Sequence, residues 1–191
     1  MNKILRIFAG VLIVVLAGTA QAGQKHGFLS LPFGSTWEQA QAFAAKELGR
    51  YLVREDFDRM AISGYTLGPE QVVVYLAFDD NRRFYSLTIR MTAWSEGAGQ
   101  TALVKKDADF LLSVFKKKYG PNYKIDRSRH SVILYSWDRP DLIIQIGMVG
   151  VDINDGIAAY GSVSDRRMAA AMKRRRDKEK EQKADNAAKG F

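Results

Sequence analysis

The chain contains no cysteine. That absence excludes a disulfide-stapled scaffold, a thiolate metal site, a Cys nucleophile and a lipid-bearing N-terminal Cys. Histidine is almost as scarce, with two residues, His26 and His130. A zinc site needs several donors gathered in space, and neither histidine has a second one a few positions away. Both are therefore read as surface residues. Past residue 22 no apolar run approaches the roughly 20 residues needed to cross a bilayer. A phosphate-cradling glycine loop, a dinucleotide fingerprint and a Gly-x-Ser-x-Gly elbow are also missing.

Residues 1–22 read as a secretory signal peptide. Lys3 and Arg6 make a short positive start, residues 7–17 an apolar core, and Ala20-Gln21-Ala22 the small-x-small cleavage pattern. Cleavage after Ala22 is expected, which points to a periplasmic or secreted protein that is not a lipoprotein. The formal charge then falls from +8 to +6. Residues 165–191 hold ten basic and five acidic residues, whereas 23–164 hold seventeen and sixteen. The surplus of positive charge thus belongs to the tail, and a nearly neutral body argues against nucleic acid as partner.

The body, 23–164, divides into two similar halves, about 34–94 and 105–163. Ser35-Thr36-Trp37-Glu38 opens a helix as a capping box, with Trp37, Ala40, Ala44 and Leu48 at helical spacing and Gly49 as the stop. A second helix carries Ala108, Leu111, Leu112, Phe115 and Tyr119 before Gly120-Pro121. Apolar runs bounded by turn residues predict strands over 60–67, 71–78 and 84–93, and again over 131–137, 142–149 and 157–163. The offset of 71 residues between Gly49 and Gly120 also carries 72–78 onto 143–149 and 85–91 onto 156–162. Short connections favour antiparallel pairing. The expected fold is α+β: two helix-β-β-β repeats forming one antiparallel sheet, two helices on one face, and a charged C-terminal helix. Residues 95–100 read as the linker between the halves.

This layout resembles a group of small exported bacterial proteins. The residues that carry the likeness are Gly27-Phe28-Leu29-Ser30-Leu31-Pro32-Phe33-Gly34-Ser35, Tyr119-Gly120-Pro121 and Trp137. It is similar to the β-lactamase inhibitor proteins, built as tandem helix-sheet repeats, and to SmpA/OmlA-type envelope domains. The chain departs from the inhibitors in lacking cysteine and from the envelope lipoproteins in lacking a lipid-bearing one. The resemblance implies a protein-binding surface rather than a catalytic pocket.

Candidate chemistry is thin. Ser113-Val114-Phe115-Lys116 matches Ser-x-x-Lys, but it lies mid-helix and the companion Lys-Thr-Gly element is missing. Asp152-Ile153-Asn154-Asp155-Gly156 opens like a calcium loop, yet Val163 stands where a twelfth-position carboxylate is needed. The aromatic and basic residues at 82–85 and 119–129 read as strand and core positions rather than a base-stacking platform. No catalytic, metal or cofactor residue is assigned, and no cofactor is expected.

The tail, 165–191, reads as a basic extension, helical or disordered: a helix capped by Ser164 and docked in its first turns through Met168 and Met172, then projecting and fraying for want of an apolar stripe. Lys173/Asp177 and Glu179/Lys183 are expected as pairs four residues apart. Its composition is of coiled-coil type, though a heptad seam is missing. Lys173, Arg174, Arg175 and Arg176 are the candidate contacts for anionic lipid, lipopolysaccharide or another polyanion. The expected function is a non-enzymatic protein-interaction or envelope-associated module. The alternatives are a hydrolase-type enzyme with scattered carboxylates and Ser, or a binder of a small apolar ligand.

Overall fold

The computed structural model describes residues 26–49, 51–91, 100–129, 132–150 and 157–189. The expected signal peptide, residues 95–99 of the linker, His130 and the 152–156 turn lie outside them.

The described chain opens on a short ribbon, β1 (Gly27–Phe28) with β2 (Leu31–Pro32). Helix α1 (Trp37–Glu47) leads into β3 (Leu52–Glu55), β4 (Arg59–Leu67), β5 (Glu70–Phe78) and β6 (Phe84–Met91). Helix α2 (Gln100–Tyr119) leads likewise into β7 (Lys124–Arg129), β8 (Val132–Asp138), β9 (Leu142–Gly150) and β10 (Ile157–Asp165). Helix α3 (Arg166–Lys189) follows without a break. Over the described residues the protein is thus α+β, with an eight-stranded antiparallel sheet and three helices.

The sheet order is β3-β4-β5-β6-β10-β9-β8-β7. Consecutive strands pair antiparallel within each half, and the two halves join through their last strands, with Thr88 opposite Ser162 and Arg90 opposite Tyr160. Strands β3 and β7, absent from the sequence-based expectation of three strands per half, form the two edges. Both are short and charged, a composition that discourages edge-to-edge pairing with other chains.

Two helix starts differ by one residue from expectation. The α1 capping box is Thr36 with Gln39, not Ser35 with Glu38: Thr36 Oγ1 accepts from the Gln39 N–H and Gln39 Oε1 accepts from the Thr36 N–H. Ser35 instead donates to the Pro32 carbonyl at 2.7 Å. At α3 the cap is Asp165, whose Oδ1 accepts from the Met168 N–H, rather than Ser164. Ser164 is still in β10, with its hydroxyl 2.7 Å from that of Ser86.

Alternation along the strands decides what is buried. Val72, Val74, Leu76 and Phe78 of β5, Leu87, Ile89 and Met91 of β6, and Ile144 and Ile146 of β9 point into the core. Trp37 of α1 meets the Phe78 ring edge-on at 4.7 Å, and Phe28 of β1 packs on Phe43 and Tyr65. In the second half Phe115 and Tyr119 of α2 pack on Trp137, whose indole N–H donates to the Gly120 carbonyl at 2.8 Å. Gly120 adopts φ +90°, the left-handed conformation that lets α2 stop and turn toward β7. Such aromatic pairs each add about 1 kcal/mol beyond the area they bury.

Candidate functional site

Two surfaces carry the polar features. The first is the root of α3. This helix leaves β10, passes β6 and reaches the turn between β5 and β6, where Arg175 pairs with Asp80 at 2.5 Å. Arg175 also reaches Glu179, one turn on, at 3.1 Å. Met168 and Met172 are half-buried, and Met172 lines a cleft of about 470 Å³ with Phe57, Phe78 and Asp79. From Lys173 to residue 186 every side chain is exposed.

Four consecutive helical residues spread around the axis at about 100° each, so Lys173, Arg174, Arg175 and Arg176 cannot share one face. The structure separates them accordingly. Arg175 is turned to the body and held by carboxylates, and Arg176 lies on the rim of the cleft. Lys173 and Arg174 are exposed, with no ion pair among the described residues. The expected Lys173/Asp177 and Glu179/Lys183 pairs are not among the ion pairs of the described residues; Glu179 is taken by Arg175.

The second surface is the part-exposed face of the sheet. At its positions in the four central strands stand Val73, Tyr75 and Ala77 of β5, Ser86, Thr88 and Arg90 of β6, Tyr160, Ser162 and Ser164 of β10, and Ile143, Gln145 and Gly147 of β9. One of these side chains is charged, Arg90. Its guanidinium lies 5.3 Å from the centre of the Tyr75 ring, with no carboxylate within ion-pair distance among the described residues. Tyr160, opposite Arg90, lies instead over Gly147: a Cβ on that glycine would come within 3.0 Å of the phenol oxygen. One lateral register row crosses all eight strands, Arg54-Ala61-Tyr75-Thr88-Ser162-Gln145-Ser136-Lys124. Sequence reasoning did not single out Arg90, because a lone arginine in a strand has no signature until its cross-strand neighbours are known.

Other sequence candidates fall elsewhere. His26 pairs with Asp141 at 2.7 Å on an exposed surface. Ser113 is an exposed mid-helix residue that donates to the Phe110 carbonyl at 2.7 Å, the ordinary local bond of a helical serine. Val163 is buried in β10. Asp79 is a turn residue, its Oδ1 accepting from the N–H groups of Asn81 and Arg83. Arg82 stacks on Trp37 at 4.3 Å, and Arg83 donates to the Gly34 carbonyl at 3.0 Å. Among the described residues no three His, Asp or Glu side chains are gathered so as to hold a metal ion. No described helix is long and apolar enough to cross a membrane.

Three ionisable groups are strongly shaped by burial. Asp107 of α2 is 6% exposed, one carboxylate oxygen has no hydrogen-bond partner among the described residues, and burial with nearby Glu70 raises its pKa. Burial pulls the Lys118 ammonium down to about 8 and pushes the Tyr119 phenol above its ordinary 10. Asp107 faces the β5 end of the core, and Lys118 and Tyr119 lie at the last turn of α2, so these groups do not converge on one another. A groove of about 630 Å³ between β2 and α1 combines Phe33 and Phe43 with Lys46 and Arg83 on its walls. Comparison of the chain with known protein families, curated proteins and solved structures found no match.

Proposed function

We propose that the protein is a non-enzymatic interaction module exported to the periplasm or beyond, which meets an anionic surface of the cell envelope through α3. The observation that carries this reading is a helix pinned at its root and basic where it leaves the body. Met172 and the Arg175–Asp80 pair hold the first turns, with Lys173 and Arg174 exposed on other sides of the helix and Arg176 exposed at the rim of the cleft. A fixed root lowers the entropy lost when the basic residues meet a charged surface. Each such residue contributes about 1 kcal/mol at an anionic membrane.

The body behind it is read as a duplicated unit, one helix plus an antiparallel meander used twice, with α1 and α2 on the same side. Support comes from the row Val74-Ile89-Gly161-Ile146, which is continuous across the junction and lies on the side that meets both Trp37 and Phe115. Such tandem units, like those of the β-lactamase inhibitor proteins, offer a broad sheet surface to a protein partner.

The test uses the triple reversal Lys173→Glu, Arg174→Glu and Arg176→Glu, with Arg175 kept to preserve the root. Co-sedimentation with vesicles containing phosphatidylglycerol at low salt should fall by about a hundredfold in affinity. Unchanged co-sedimentation refutes the reading. Export is tested separately by N-terminal sequencing of the protein from periplasmic fractions, which should begin at Gly23.

A further inference from the structure

We infer that the seam between β6 and β10 is a docking site for an extended acidic protein segment, with Arg90 as the carboxylate-binding residue. The inference deepens the interaction-module reading by giving the sheet face a partner of stated chemistry.

Charge comes first. On this face of the four central strands Arg90 is the one ionised side chain, since Glu70 and Asp165 stand at strand ends and in step with the core-facing positions, so the centre of the face is positive. Toward the edges Arg59 is paired with Asp58 at 3.3 Å and Lys124 with Asp138 at 3.1 Å, and Arg54 stands on the outermost strand β3, three strands from Arg90. Arg90 is also half-buried, with Tyr75 against its guanidinium. Partial burial weakens competition from water, and the planar fork of an arginine matches a carboxylate with two parallel hydrogen bonds. An arginine held in this way is incomplete in the free protein and complementary to an acid.

Shape comes second. Arg90 is engaged with Tyr75 toward β5, and Tyr160 lies over Gly147 toward β9. The seam between them carries the short hydroxyl side chains of Thr88 and Ser162, with Ser86 and Ser164 one step along. The result is a hydroxyl-floored strip bounded by two aromatic rings. Ser86 and Ser164 are bonded to each other at 2.7 Å, and the Thr88 and Ser162 hydroxyls, able to donate and to accept, suit the N–H and C=O groups of a peptide backbone.

Period comes third. Ser86, Thr88 and Arg90 repeat every second residue, about 6.8 Å in an antiparallel strand. An extended peptide has the same repeat, so alternate side chains of a ligand laid along the seam stay in step with the floor. A single central cation selects an acidic residue at one such position. It does not provide the row of cations that a phosphate polymer demands.

The experiment titrates the full mature chain with a six-residue peptide of alternating Glu and Thr, followed by amide chemical-shift mapping and fluorescence anisotropy. Shifts should concentrate at Thr88, Arg90 and Ser162. Replacing Glu by Gln in the peptide, or Arg90→Gln in the protein, should each weaken binding about tenfold. Arg90→Lys, which keeps the charge and loses the fork, should recover part of the loss. Thr88→Val provides a second, isosteric variant that should also weaken binding. Equal binding of the Glu and Gln peptides overturns the proposal, as do shifts centred on α3 or tighter binding of polyuronate or polyphosphate than of the peptide. Peptide binding should survive the triple reversal on α3, so failure of the envelope contact and failure of the seam are read separately.

Discussion

The Phe115 ring of α2 occupies the space where a side chain on Gly161 would stand: a Cβ built there lies 2.7 Å from the Phe115 Cζ. Glycine in a central strand weakens it, so its place here is explained by the close approach of the helix. Phe115 is 2% exposed and sits among Trp137 and Tyr119, which leaves it little room to move aside.

Gly161→Ala should therefore destabilise the protein by about 1–3 kcal/mol through overpacking. Thermal unfolding would show it as a fall in Tm of roughly 2–4 °C per kcal/mol for a domain of this size. Phe115→Leu on its own should destabilise too, by opening a cavity. Combined, the two changes should cost less than their sum, because the smaller side chain makes room for the methyl group. Additive losses would show that helix and strand do not meet as described.

Arg175 faces two carboxylates, Asp80 at 2.5 Å and Glu179 at 3.1 Å. An exposed ion pair contributes about 0–1 kcal/mol, so removing it alone changes little. Arg175→Glu, however, sets three acids together at the root of α3. Amide exchange over 168–176 should then accelerate by about tenfold, with exchange in β5 and β9 unchanged. Equal exchange rates in the two proteins would show that Met172 packing alone holds the root.

Much of the body is legible in the sequence because its strands are apolar runs between turn residues. Strands β4, β5, β6, β8, β9 and β10 fall within two residues of the expected bounds at nearly every end. The edges were not legible, for a physical reason. Leu52-Val53-Arg54-Glu55 and Lys124-Ile125-Asp126-Arg127 carry the charges that protect an edge from aggregation, and those charges read as loop. The α1 cap was ambiguous because Ser35-x-x-Glu38 and Thr36-x-x-Gln39 both satisfy the same pattern; only the backbone φ, ψ of Thr36 and its bond to Gln39 decide between them. The candidate cations of α3 were visible as a run, but their separation into one docked and several exposed residues depends on Asp80, nearly a hundred positions earlier. Arg90 depends on register alone.

The last turn of α2 gives the protein an alkaline signature. Lys118 titrates near 8 in the folded chain against an ordinary 10.5, because burial disfavours the ammonium form. The unfolded chain therefore binds that proton more tightly, and stability rises with pH between about 8 and 10.5. Burial acts oppositely on Tyr119, whose phenol stays protonated in the fold after the unfolded chain has begun to ionise. Stability then falls with pH above about 10. Denaturant midpoints should pass through a maximum just above about pH 10. Lys118→Met should be more stable than the parent at pH 7 and should lose the rise. A parent curve identical in shape to that of Lys118→Met would contradict the assignment.

Asp107 is the clearest case of a residue that costs stability. Its carboxylate is buried on α2 with one oxygen unbonded among the described residues, and Glu70 adds repulsion that Lys106 only partly offsets. Burial is the larger cause, and it holds the pKa above the ordinary 3.8. Between that value and the raised one the folded chain keeps a proton that the unfolded chain has lost, so stability falls as pH rises through this window. At neutral pH the full penalty applies. Asp107→Asn removes the charge with almost no change of volume, and it should raise the unfolding free energy at pH 7 by about 1 kcal/mol. The gain should shrink as pH is lowered toward 3.5, where the parent carboxyl is itself neutral in the fold. Urea unfolding of both proteins at the two pH values measures the difference directly. A variant less stable than the parent at pH 7 would mean that the charge is compensated in the folded protein, and the burial argument would fail.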